Sequence, residues 1–193
     1  MPVRRPAPRR DQPTRFVAFL RAINVGGRVV RMQALRAHFE ALDLTDVQTV
    51  IASGNVIFGT LDPDAAQLEQ RIEQHLRTVL GYDVATFLRT PAEVAAAAAY
   101  DAFPGAGSGA TDFPLYIAFT RSAPKPDAVK MLMTFRNEID DFHVHGREIY
   151  WAARRGMAQS TFTGARLEKI IGMPATARNV TTVRKLAAMS AVG

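Results

Sequence analysis

The chain of 193 residues has no cysteine and a single tryptophan. Without thiols there are no disulfides, no thiolate catalysis and no zinc site built on cysteine ligands. That composition suits a reducing compartment, so a cytoplasmic protein is expected. No apolar run approaches the roughly 20 residues a helix needs to cross a bilayer, so no membrane span is expected. The opening MPVRRPAPRRDQPT lacks an apolar stretch and does not read as an export signal. Also missing are a GxGxxG, a P-loop, a GxSxG, an HExxH and any recognisable Ser-His-Asp arrangement. Catalytic residues therefore have no sequence signature, and no cofactor is implied.

Acidic residues are scarce at both ends. Residues 1–14 carry four arginines against Asp11, and residues 146–193 carry eight basic side chains against Glu148 and Glu168. The middle, residues 15–145, holds 12 basic and 15 acidic groups, so the formal charge of +6 sits on an N-terminal arm and the last quarter. Such asymmetry can attract polyanions, or it can be an ordinary solvated surface.

What is present is strong alternation of strand and helix signals. RFVAFLR, residues 15–21, is a near-continuous apolar run, as expected of a strand covered on both faces. Met32, Leu35, Phe39 and Leu42 recur at helical spacing. VQTVIASGNVIFGT predicts a hairpin turning at Ser53-Gly54-Asn55. Asp62 with Pro63 predicts the next helix start, with Leu68, Ile72, Leu76 and Val79 inside and Gly81 as its stop. VATFLR is a fourth strand, and Thr90-Pro91-Ala92-Glu93 reads as a capping box opening an alanine-rich helix.

After the Gly-rich FPGAGSGATDF the order repeats. FPLYIAF is a strand, Pro124-Lys125-Pro126-Asp127 opens a helix, and FHVHGREIYWA is a hairpin turning near Gly146. FTGARLEKIIG is a helix closed by Gly172, ATAR is a short strand, and Val183 with Leu186 marks a terminal helix. The fold class is α+β: two ferredoxin-like βαββαβ plaits in tandem with an extra C-terminal helix. The expected organisation is a disordered basic arm (1–14), a first plait (15–90), a helix and linker (91–112) and a second plait with the terminal helix (113–193).

Strand directions in a βαββαβ unit bring the loop after the first strand, the hairpin between the second and third, and the end of the second helix to one end. Arg21, Asn24, Gly26, Gly27, Arg28, Ser53, Asn55 and Tyr82 should gather there. Glycines expose backbone N–H groups, a helix N-terminus favours anions, and arginines supply forked donors. The first seven are the candidate anion-binding residues. The alternative is structural: the glycines make a turn, and Asn24 and Asn55 hold loop backbone. A second, weaker anion site is Thr176, Arg178 and Asn179 ahead of the last helix, where Asn179 or Thr181 equally reads as an ordinary N-cap. His143 and His145 share a strand face, but no third ligand is evident, so no metal site is assigned. The third strands lack the aromatic RNP pattern, so a sheet-face RNA platform is disfavoured.

FVAFLRAINVGGRVVRMQALRAHFEALDLTDVQTVIASGNVIF and LEKIIGMPATARNVTTVRKLAAM, in that order, resemble the opening and closing segments of the bacterial family called domain of unknown function 1697. The specific parts are Leu20 to Gly27, Ile51 to Asn55 and Pro174 to Leu186. The resemblance implies paired ferredoxin-like domains and no established activity. Three functions remain in view: a binding protein for a phosphate-bearing small molecule or nucleic acid, an enzyme on a small anionic metabolite in the inter-domain cleft, and an oligomerising module with no ligand.

Overall fold

The computed structural model describes residues 13–52, 54–104 and 113–191. The basic arm, Ser53 and most of the Gly-rich linker lie outside them. The first half runs β1 (Thr14–Leu20), α1 (Met32–Glu40), β2 (Thr45–Thr49), β3 (Asn55–Thr60), α2 (Ala65–Leu80) and β4 (Thr86–Arg89). After α3 (Pro91–Ala99), the second half runs β5 (Leu115–Phe119), α4 (Pro126–Met133), β6 (Asp140–His145), β7 (Glu148–Ala153), α5 (Gly164–Ile171) and β8 (Thr176–Asn179). The chain closes with α6 (Val180–Ser190). The two sheets have strand orders β2-β3-β1-β4 and β6-β7-β5-β8, every neighbour antiparallel. These are two ferredoxin-like plaits, as the element order predicted.

Local chemistry sets most boundaries. Thr90 accepts from Glu93 N while the Glu93 carboxylate accepts from Thr90 N, a complete capping box at α3. Gly81 and Gly172 end α2 and α5 in the left-handed conformation, φ 78° and 70°. Two expectations need correction. α2 starts at Ala65, not at Pro63, because Asp64 rather than Asp62 caps it, accepting from the N–H groups of Ala66 and Gln67. Asp62 instead accepts from Asp64 N, one step ahead of the helix. Val79 is 42% exposed, whereas Leu68, Ile72 and Leu76 are fully buried, so the inner stripe ends one turn early.

Alternation along each strand splits the core into three. Phe16, Ala18 and Leu20 of β1 face α1 and α2, while Ala118, Ile149 and Trp151 face α4 and α5. Between the two plaits lies the third cluster, where Val17, Phe19, Ile57 and Phe87 of one sheet meet Leu115, Ile117, Phe119 and Tyr150 of the other. Helices α3 and α6 fill the rest with Val94, Ala97, Val180, Val183 and Leu186. The rings of Phe19 and Phe119 stack at 3.8 Å between centroids. The unbroken apolar run of β1 is thus explained, since both sheet faces are covered.

The repeat goes beyond element order. Arg89 at the end of β4 reaches into the second plait: Nε donates to Glu148 Oε1 at 2.7 Å, and Nη2 donates to Thr120 O at 2.8 Å. Arg178 in β8 reaches the equivalent place in the first plait. Its Nε donates to Asn55 Oδ1 at 2.6 Å, and its Nη2 donates to Leu20 O at 2.8 Å and Gly54 O at 3.2 Å. Each arginine therefore ties the exit of its neighbour's first strand to the start of its neighbour's third. Arg21 and Arg121, the residues that follow those exits, obey the same relation. Arg21 grips Glu168 of α5, and Arg121 grips Glu69 and Glu73 of α2. Those carboxylates also accept the N–H groups of Ala175, Leu88 and Thr86, which cover the outer edges of β8 and β4.

Candidate anion-binding site

Leaving β1, the chain takes eleven residues to reach α1, and four of them, Ala22, Asn24, Gly26 and Gly27, have positive φ. Ile23 is buried and pins the loop to the core. Asn24 clamps it shut: Oδ1 accepts from Val30 N at 2.6 Å, and Nδ2 donates to Val30 O at 3.2 Å and to Ala52 O at 2.7 Å. One carboxamide therefore closes the loop and ties it to the β2–β3 hairpin. The tight fit extends to Gly54, where a Cβ would lie 2.9 Å from Ile23 Cβ.

Gly26 and Gly27 differ, for nothing lies within 4 Å of where their Cβ atoms would be. They bend the backbone outward without packing, which leaves an exposed lip. At its end the Arg28 guanidinium lies 4.1 Å from the centroid of the Tyr82 ring, on the connector between α2 and β4. No carboxylate comes within ion-pair distance of Arg28 or Arg31 among the described residues. Arg31 is the N-cap of α1 and makes no side-chain cap bond, and the first turn has no acidic residue. Helices α2, α3, α5 and α6 are each capped by a side chain, from Asp64, Thr90, Thr163 and Asn179. The α1 terminus keeps its first N–H groups and its partial positive charge open.

The other candidates divide by what they touch. Arg21 makes a forked contact with Glu168 at 2.5 and 2.8 Å, and that bond holds its guanidinium above the usual arginine range. Asn55 is buried, donating to Val50 O at 3.0 Å and accepting from Arg178. Thr176 accepts from Arg178 Nη1 at 2.8 Å, and burial pushes the Arg178 guanidinium down to about 10. Asn179 caps α6 through Thr181 N. Asn55 and the pair Thr176 and Arg178, 123 positions apart at their bond, thus meet in one joint between the plaits. Gly26, Gly27 and Arg28 form the exposed lip, and Ser53 lies outside the described residues.

Other relevant groups had little sequence signal. Arg31, Arg89, Arg121 and Glu168 look like ordinary surface charges in the chain. Glu69 gave one hint, lying beside Leu68 and three residues before Ile72 on the apolar stripe of α2; it is 4% exposed, and burial raises its carboxyl against the Leu88 N–H bond. Beside the lip, across the connector that carries Tyr82, a cleft of about 940 Å³ opens between the plaits. Three of the eight C-terminal basic groups are in ion pairs among the described residues: Arg147 with Glu93, Arg154 with Asp141 and Arg155 with Glu138. On the other side of the molecule, His143 Nε2 lies 2.8 Å from the Tyr100 hydroxyl and the His145 ring stacks on Tyr100 at 4.1 Å. Among the described residues, no three His, Asp or Glu side chains converge as a metal site, and no helix is long and apolar enough to cross a membrane.

A family model described as "Protein of unknown function (DUF1697)" matches residues 14–150. The closing segment that resembles the same family lies beyond the matched residues. No curated protein matches the chain. Among solved structures, a conserved bacterial protein, SP0830 from Streptococcus pneumoniae, is similar with a TM-score of 0.69 at 22% identity, over 93% of this chain and 99% of that one. At that identity the likeness speaks for the fold alone.

Proposed function

The chain belongs to the DUF1697 family, which brings a fold and no ligand, and from that premise we propose a cytoplasmic binding protein for a small phosphate-bearing ligand held at the β1–α1 lip. The observation that carries this reading is the open N-terminus of α1, flanked by Arg28 and Arg31, neither of which meets a carboxylate among the described residues. Backbone N–H groups there can take phosphate oxygens while the two guanidinium groups supply charge-assisted bonds. Asn24 and Asn55 contribute by holding the loop and hairpin, and Arg21 by fixing the loop's root to α5. A small ligand is favoured over nucleic acid because the lip offers one helix end and two arginines, enough for a single phosphate group, whereas a polyanion draws its affinity from many phosphate contacts.

The test is a titration of the ¹⁵N-labelled full chain with glycerol phosphate, reading the amide signals of Gly26, Gly27, Met32 and Gln33. Saturable shifts that disappear in Arg28→Ala/Arg31→Ala are expected. Their absence from the wild type, or their survival in the double variant, would defeat the reading. An oligonucleotide that binds more tightly, with a steep loss of affinity as salt rises, would instead identify a polyanion partner.

A further inference from the structure

The inter-domain cleft is chemically unlike the lip. One wall is α2, which turns Gln70, Glu73, Gln74 and Arg77 toward it, a single stripe at i, i+3, i+4 and i+7. Arg121 and Ser122, just past β5, form the opposite wall, and Val84, Phe87, Met173 and Pro174 give it an apolar lining.

Its charges balance. Arg121 Nη2 donates to Glu73 at 2.5 Å, and Arg77 lies 3.4 Å from Asp83. The second pair is largely exposed on both sides, at 72% and 83%, and such pairs contribute only about 0–1 kcal/mol, so a ligand can exchange with them readily. The carboxamides of Gln70 and Gln74 make no hydrogen bond among the described residues, and the Ser122 hydroxyl reaches only the weak acceptor Met173 Sδ at 3.8 Å. Two cations, two carboxylates, two free carboxamides and one hydroxyl thus surround an apolar floor. A dianion would face Glu73 and Asp83, and a dication would face Arg77 and Arg121. A ligand that carries one charge of each sign meets a partner at both ends.

We infer that this cleft binds a short peptide with free termini and an apolar side chain. Its carboxylate is taken by Arg77 in forked geometry and its ammonium by Asp83 and Glu73. The glutamines serve its amide groups, and the side chain rests on Met173 and Pro174. The volume of about 940 Å³ is far more than one amino acid needs and lies within the usual range for pockets that enclose an organic ligand. The inference stands apart from the phosphate reading, since none of these residues belongs to the lip.

The experiment uses the full chain, ¹⁵N-labelled, titrated with the tripeptide alanyl-leucyl-alanine and with its N-acetylated, C-amidated form. The free tripeptide should shift the Ser122 amide and the Gln74 side-chain signals saturably. The blocked form should bind at least about tenfold more weakly. Gln74→Ala/Ser122→Ala should lose about fivefold or more in affinity while its melting temperature stays at the wild-type value, since neither side chain holds the fold. Arg28→Ala/Arg31→Ala should bind the tripeptide normally, which separates this site from the lip. No shift at the cleft with the free tripeptide, equal binding of the blocked form, or full affinity in the cleft variant would overturn the inference.

Discussion

Replacing Arg178 by methionine removes the guanidinium that locks β8 to the first plait while keeping most of the side-chain volume. Among the described residues, three of its bonds cross between the plaits, to Asn55 Oδ1 at 2.6 Å, Leu20 O at 2.8 Å and Gly54 O at 3.2 Å. Hydrogen bonds from a charged donor contribute about 1.5–3 kcal/mol each, so the gross loss is about 6 kcal/mol. Against this stands the cost of burying a charge, visible in the depression of Arg178 to about 10 and amounting to several kcal/mol that the variant no longer bears. The net expectation is a loss of about 2–4 kcal/mol. For a chain of this size that corresponds to a melting temperature lower by about 5–15 °C. Arg178→Lys should do nearly as badly, because an ammonium cannot fork across Leu20 O and Asn55 Oδ1 together. Arg184→Ala, at an exposed position on α6, serves as the control and should stay within about 0.5 kcal/mol of wild type. Urea unfolding at neutral pH measures all three. If Arg178→Met lies within about 0.5 kcal/mol of wild type, desolvation cancels the bonds and the buried arginine is not what locks the joint.

Two further outcomes are expected. Gly54→Ala combines a left-handed φ of 79° with a Cβ 2.9 Å from Ile23 Cβ, and should cost about 2–4 kcal/mol. Gly26→Ala meets only the left-handed strain, φ 60° in open space, and should cost about 1–2 kcal/mol; urea midpoints that rank the two the other way would refute the packing argument. Acidification should destabilise the protein. Burial lowers His38 and His143 below the usual imidazole range, helped by the like charges of His75 and His145 respectively. Between their folded values and the ordinary value of about 6.5, the unfolded chain binds more protons, so stability rises with pH. Their contribution is full above about pH 6.5 and is lost as the pH falls through the lower folded values. The urea midpoint should therefore fall from pH 7.5 to 5.5, and less so in His38→Gln/His143→Gln. A midpoint that rises on acidification would contradict the assignment.

Much of the architecture was legible in the chain because its signals are local. A Thr and a Glu three residues apart can satisfy each other's backbone, and they do so at the start of α3. A glycine after an amphipathic run ends α2 and α5 through its own φ. The errors arose where two local signals competed, as at Asp62 and Asp64, or where a stripe outran its covering partner, as at Val79. The gathering of Arg28 with Tyr82, and of Asn24 with the β2–β3 hairpin, follows from strand direction, which element order implies.

Only the tertiary structure decided which polar groups would be interior. Nothing in the local sequence separates Arg178, buried across the joint, from Arg184, exposed one turn into α6. Nothing near Arg21 points to Glu168, 147 positions away. Those partnerships are set by how two apolar sheet faces close on each other around α3 and α6. The apolar surfaces fix the relative position of the plaits, and each arginine then bonds whichever carbonyl or carboxylate that packing brings within 3 Å. Charge patterning could announce a basic protein, but the location of each charge, inside a joint, in an ion pair or at an open helix end, is a property of the packed faces.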